Sequence, residues 1–369
     1  ERDDSGRVTA EIFSPAGIDA KFRLERRYQD SPADTPPGGG LTGYSLHQVG
    51  KKDPIQSVTF GYNQLGRWNQ VSTPEHNYTY LREHADDASL LTGIGGPSHS
   101  VAYEYTPDRH LIASIENLNH QDETISRYAY AHDDLGRRTE ITRTGLAYAD
   151  HDDSLSHSQY EYDPLGQVVS ETSNFKLQPS NSYTYDAIGN RLTSTSAEEG
   201  ETAYSSNDLN QYENVSLPTG KVDIPHDAYG NSLVSPSGHA YSWDARNRLT
   251  EIVTPEGIKI QNTYDANGRR TRVTKTAEDS TSISDTLYLY DRWNVIAEIA
   301  LTAKPTENRP PKTECRILKT HLWGLDLSNT PQGAGGVGGL LETTLTDGAI
   351  HRPVYDANGN VTQYLDGSG

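Results

Sequence analysis

Ser182-Tyr183-Thr184-Tyr185-Asp186-Ala187-Ile188-Gly189-Asn190-Arg191-Leu192-Thr193-Ser194-Thr195 decides how this chain folds. Tyr183 and Tyr185 alternate with small polar residues, so both rings lie on one face of a strand. Asp186 stands where a type I turn begins, and its carboxylate can accept backbone N–H bonds two residues on. Gly189 comes three residues later, where the chain needs a left-handed residue to enter the returning strand as a bulged hairpin. Asn190 to Thr195 is that second strand. The unit is one antiparallel β-hairpin, and a lone hairpin is marginal in water, so neighbours must pair with it.

The same pattern recurs along most of the chain. Intact copies are Tyr162-Asp163-Pro164-Leu165-Gly166, Tyr264-Asp265-Ala266-Asn267-Gly268 and Tyr355-Asp356-Ala357-Asn358-Gly359. In a fourth, His226 takes the tyrosine's place before Asp227 and Gly230; in a fifth, Trp243 precedes Asp244 and Asn247 replaces glycine. Tyr290-Asp291-Arg292-Trp293-Asn294 keeps the aspartate and puts Asn294 at the glycine position. Diverged copies start at Tyr62, His132 and Tyr204, and Asp3 to Val8 reads as the tail of another. Self-similarity at about 20–25 residues marks a repeat architecture. The glycines, or asparagine in their place, are expected at positive φ.

These residues resemble the YD repeats of the Rhs family, which also occur in Tc-toxin shells and in teneurins. The resemblance covers roughly residues 55–369. It is sharpened by the order Leu289–Glu298, Leu322–Ser328, the glycine-rich Pro331–Leu341 and Tyr355–Val361, which is similar to the entry of the Rhs-associated core. The resemblance implies an all-β strip of antiparallel hairpins that coils into an open or partial spiral shell around a C-terminal toxin or effector. It implies that the partner is the remainder of the same polypeptide, core and cargo, in a secreted or cell-surface bacterial protein. The self-cleaving residues of such cores have no counterpart to be carried over here.

Composition narrows the function classes. Leu, Ile, Val and Phe make up about 18% of residues, under the ~20% that signals disorder in a charged chain. The 23 tyrosines supply amphipathic strand residues instead, so a thin, Tyr-laddered sheet without a thick apolar core is expected. A net charge of −19 argues against binding a nucleic-acid backbone. The single Cys315 excludes an internal disulfide framework. No apolar run approaches the ~18 residues of a membrane span. The absence of methionine means that Glu1 is not a translation start, and the chain reads as a segment of something longer.

Organisation follows the motif. Residues 1–40 read as a repeat remnant and a Pro/Gly-rich linker (31–40), 41–320 as the YD-repeat β-strip, and 321–369 as the glycine-rich entry with the last repeat. Asp150–Ser158 and Lys304–Lys312 read as loop insertions, and His84–Leu91 as a short turn. No helix is expected beyond that.

No motif carries catalysis, a metal or a cofactor. The Asp-Ala-Asn-Gly turns lack the acidic positions and bidentate glutamate of a calcium loop. The Gly333–Gly339 run lacks the Lys-Ser or Lys-Thr of a phosphate loop. There is no Gly-x-Ser-x-Gly elbow or His-Glu-x-x-His. The expected function is therefore a structural scaffold and not an enzyme. The alternative is an extracellular adhesive strip that binds carbohydrate or a cell-surface ligand through exposed Tyr and Trp. Asn-x-Ser/Thr sites at Asn77, Asn214 and Asn360 read as chance.

Overall fold

The computed structural model describes residues 1–15, 18–29, 40–82, 90–149, 156–173, 180–306 and 309–367. Among them are 28 strands and one helical element, the 3-10 turn Leu146–Tyr148. The protein is all-β. Strands pair antiparallel with their neighbours in the chain, as Asn181–Tyr185 pairs with Arg191–Ser196 and the latter with Gly200–Ser206. Hairpin order is therefore chain order. The chain divides into two compact units, residues 1–125 with 286–369, and residues 126–285. The boundaries expected at 40 and 320 both fall inside the first unit.

The first unit holds two meanders. One runs from Ala10–Phe13 to Ile112–Asn119, the other from the strand ending at Asp291 to Val361–Leu365. They share an apolar core: Phe22, Leu24, Leu46, Val58 and Val71 from one, and Leu287, Leu289, Ile296, Ile299 and Leu322 from the other. Alternation explains it. In Phe22-Arg23-Leu24 and Leu287-Tyr288-Leu289, the outer residues point to one face and are buried. Full burial of each such side chain contributes about 1.5–3 kcal/mol. The expectation of a thin sheet without a thick core is wrong for this unit. Its apolar residues come from segments some 200 residues apart, and their sum is invisible in the averaged composition.

The second unit fits the thin-sheet expectation better. None of its residues belongs to that core cluster. Its buried side chains include Tyr128, Tyr148, Ser126, Ser156, Ser158, Asn262, Val215 and Val273. Tyr148 donates its hydroxyl to Tyr128 at 2.9 Å, the rings standing edge to face.

Two further expectations change. Lys304–Lys312 is not simply a loop: strands Asn294–Thr306 and Arg309–Trp323 run through it as a long hairpin. The linker at 31–40 lies outside the described residues except for Gly40, as does His84–Leu91 except for its last two residues and Asp150–Ser158 except for its last three.

Candidate functional site

The repeated turn is the unit from which everything else is built. In the copy at 163, Asp163 Oδ1 accepts the N–H groups of Leu165 (2.9 Å) and Gln167 (2.8 Å), while Gly166 N–H donates to the Asp163 carbonyl. The register slips by one residue at Tyr162, which is the bulge. The same pair of carboxylate bonds recurs at Asp186, Asp227, Asp244, Asp265 and Asp356. Positive φ occurs at Gly166 (84°), Gly189 (97°), Gly230 (87°), Gly268 (87°) and Gly359 (75°), and at Asn247 (57°). At Gly189 a side chain would be strained by the backbone and would also meet Gln167 Nε2 at 2.9 Å.

The tyrosine ties each hairpin to the one before it. Tyr162 donates its hydroxyl to the Arg138 carbonyl, Tyr185 to Val168, Tyr264 to Leu249 and Tyr355 to Leu340, at 2.6–2.9 Å. Trp243 does the same with its indole N–H, to Ser232 at 2.8 Å. The acceptor is a carbonyl at or near the start of the preceding strand. The motif's two named residues thus have separate tasks: the aspartate closes its own turn, and the aromatic residue holds the previous one.

A third position completes the mechanism, and its role was not read from the sequence. The residue four after the aspartate, or after Asn207 in its place, is Arg137, Gln167, Asn190, Gln211, Asn231, Arg248 and Arg269 in successive copies of the second unit. Arg137, Asn190, Asn231, Arg248 and Arg269 bond back to the other carboxylate oxygen of their own turn at 2.7–2.9 Å. Several also reach the next turn: Asn190 to Asn210 Oδ1, Asn231 to Asn247 Oδ1, and Arg248 to the Asp265 carbonyl, at 3.0–3.3 Å. Arg137 and Arg248 also lie over the rings of Tyr162 and Tyr264, 4.6 and 4.9 Å from the centroids. The turns are therefore zipped side by side along one edge. The signal was present in the sequence as a recurring Arg, Gln or Asn at that spacing.

The electrostatics follow. The hydrogen bond from Arg248 is the main cause that lowers the Asp244 carboxyl to about 2. Asn231 leads the lowering at Asp227. At Asp133, Asp186 and Asp265 local desolvation opposes ionisation, yet bonds from Arg137, Asn190 and Arg269 still hold the carboxyls below their ordinary range.

The copy at 290 departs from this plan. Asp291 pairs with Asn294 across a two-residue turn, and Arg292 takes the positive φ (54°) in place of Asn294. The Asp291 carboxylate receives Arg26 Nε and Nη2 at 3.0 and 2.6 Å. A buried guanidinium far away in sequence thus claims the carboxylate that the local pattern assigns to a turn.

A second polar cluster lies inside the first unit. Arg352, 1% exposed, donates to the Tyr78 hydroxyl (3.0 Å) and to Ser98 Oγ (2.9 Å). Tyr78 donates in turn to Glu342 at 2.8 Å, which His76 also meets at 3.0 Å. Burial, then the charge of Glu342, push the Tyr78 phenol up. With Tyr78 and Glu342 2% and 3% exposed, these groups are closed to any substrate and cross-link the unit's two meanders. The Gly333–Gly339 run is organised by buried Asp326, whose carboxylate accepts Ser328 N–H and the N–H groups of Ala334 and Gly336. A cleft of about 290 Å³ beside the stacked rings of Phe60 and Trp68 (4.0 Å) contains Asp291, already bonded to Arg26, and no nucleophile–base pair. Among the described residues no group of three or more His, Cys, Asp or Glu could hold a metal. No helix among them is long and apolar enough to cross a membrane.

Comparison with known proteins agrees with the turn chemistry. Residues 112–292 match the teneurin YD-shell family. Over that stretch, just under half of its length, the chain is similar to YD-repeat shell proteins. It is 29% identical over 253 residues, 68% of its length, to the tRNA3(Ser)-specific nuclease WapA of Bacillus spizizenii. It is likewise 29% identical over 243 residues, 65% of its length, to the tRNA nuclease WapA of Bacillus subtilis. The chain spans 10% of the length of each of these relatives. Among solved structures, the Photorhabdus luminescens Tc holotoxin pore aligns over 93% of this YD-repeat chain and 23% of its own, at 12% identity and a TM-score of 0.35. A TcdB2-TccC3 crystal structure without the hypervariable C-terminal region gives the same coverage and identity, with a TM-score of 0.36.

Proposed function

We propose that this chain is a wall segment of an Rhs-type shell that encloses or presents a C-terminal toxin or effector of the same polypeptide, at the cell surface or outside the cell. The observation that carries this reading is the zipped row of turns. In each repeat the carboxylate closes its own turn, the aromatic donor holds the preceding hairpin and the fourth residue in several copies reaches the next turn, which extends the antiparallel sheets hairpin by hairpin and leaves no reactive constellation among the described residues. The nuclease in the relatives' names belongs to proteins of which this chain matches a tenth, so we assign that activity to cargo and not to the wall. The adhesive alternative gains little, because the ring donors of Tyr162, Tyr185, Trp243 and Tyr264 are already bonded to backbone.

Protease protection tests the proposal. In a longer polypeptide carrying this segment and its downstream domain, the downstream domain should resist protease while the zipper is intact. Replacing Asp163, Asp186 and Asp227 together by Ala should make it cleavable. Equal cleavage in both proteins contradicts the wall reading. The isolated chain should leave tRNA uncut, and turnover abolished by one substitution outside the turns would make it an enzyme.

A further inference from the structure

The residue two after the turn aspartate, or after Asn207 in one copy, is Leu135, Leu165, Ile188, Leu209 and Tyr229 in five successive copies, and these side chains are 71–77% exposed. Turn chemistry does not ask for apolar residues there. That residue contributes only its backbone N–H, and Arg246 and Asn267 make the same bond to Asp244 and Asp265 in the next two copies. Single exposed apolar residues are ordinary, whereas a contiguous row marks an interaction surface. Contiguity is set by the zipper. Arg137 reaches the Asp163 carbonyl, Gln167 abuts Gly189, Asn190 bonds Asn210, and Gln211 abuts Gly230. Neighbouring turns along one edge are two strand spacings apart, about 10 Å, so the row extends for about 40 Å.

Charge selects the partner. The described residues between 126 and 232, which carry the row, hold 14 Asp and Glu against 6 Lys and Arg. Residues 233–285, where the apolar tips stop, balance at 7 and 7. Asp134 and Asp208 sit at the tips themselves, both exposed. A second copy of this chain would bring a net charge of −19 against an acidic edge, which disfavours self-association. The spacing adds a shape: apolar residues seven apart on a helix recur every ~10.5 Å, in step with the tips.

We propose that the tips from Leu135 to Tyr229 form a docking edge for a cationic amphipathic helix, which sets its apolar stripe on the tips and its Lys and Arg beside the acidic turns. The probe is a fluorescent 28-residue peptide with Leu at heptad spacing and Lys elsewhere on the same face, compared with a twin in which every Lys is Glu. Fluorescence anisotropy is read with the whole chain and with a variant carrying Leu135→Gln, Leu165→Gln, Ile188→Gln and Leu209→Gln. The exposed positions leave the thermal melt of the variant unchanged, which separates lost docking from lost folding. The Lys peptide should bind the native chain at least tenfold tighter than the variant and weaken with added salt, and the Glu twin should not bind. Equal binding to chain and variant would reduce the effect to bulk acidity and overturn the proposal. Binding of the Glu twin would also overturn it. So would sedimentation showing dimers of the native chain that the variant lacks, since the row would then be a contact between copies.

Discussion

The two units of this chain solve the same problem with different physics. Residues 1–125 and 286–369 close an apolar core in which Leu24, Leu46, Val58, Val71, Ala297 and Ile299 have no exposed surface, and they cross-link it with buried Arg352 and Glu342. Residues 126–285 have no such core, and short strands there are held by turns that bond to one another through Arg137, Asn190, Asn231 and Arg248. Burial is non-directional and scales with area, so it tolerates irregular spacing. Hydrogen-bonded turns need a fixed register, which is why the motif is most regular where apolar residues are fewest. A repeat can therefore be extended without enlarging a core, as a wall requires.

The largest effect should come from the first unit. Arg352→Ala leaves Glu342 and Tyr78 buried without their cation and should destabilise that unit by about 3–5 kcal/mol. A denaturant titration that follows the first unit reads this loss, and a change under 1 kcal/mol would mean that the cluster is ornamental to the fold. In the second unit, Gly189→Val should cost about 1–3 kcal/mol through its positive φ. Gly189→Asn should cost less, and equal costs for the two would break the turn account. Tyr264→Phe removes the bond to the Leu249 carbonyl without changing ring packing, and should cost about 0.5–1.5 kcal/mol.

The smallest effect is acid sensitivity, because the turn carboxylates lie at the surface and are screened. Asp133, Asp186, Asp227, Asp244 and Asp265 all have lowered values. A carboxyl with a lowered folded value adds stability that is complete above its unfolded value, near 4, and is lost as pH falls through the folded one. Melting followed by region should therefore show the second unit weakening from about pH 4 down to about 2, the value of Asp244. Stability that rises over this interval would reverse the sign and refute the assignment.

The hairpins and the left-handed glycines were legible because their causes are local: five residues contain the carboxylate, the turn and the glycine. The apolar core was not, because Phe22-Arg23-Leu24 and Leu287-Tyr288-Leu289 look like any short alternating strands and meet only in the folded unit. Asp291 misled for the same reason: its own neighbours spell a repeat, and Arg26 decides otherwise from 265 residues away. The zipper lay between these extremes. The residue four after each aspartate was visible as Arg, Gln or Asn, but its forward reach depends on which turn lies beside it.

Hydrogen exchange read by mass spectrometry at neutral pH tests the contrast most directly. One variant replaces Arg137, Asn190, Asn231 and Arg248 by Ala, and another is Leu322→Ala. The account predicts that the first variant speeds exchange in 126–285 and leaves 41–82 and 287–301 protected, and that the second does the reverse. Uniform acceleration by either variant, or full protection of 126–285 after loss of the four zipper side chains, would contradict it.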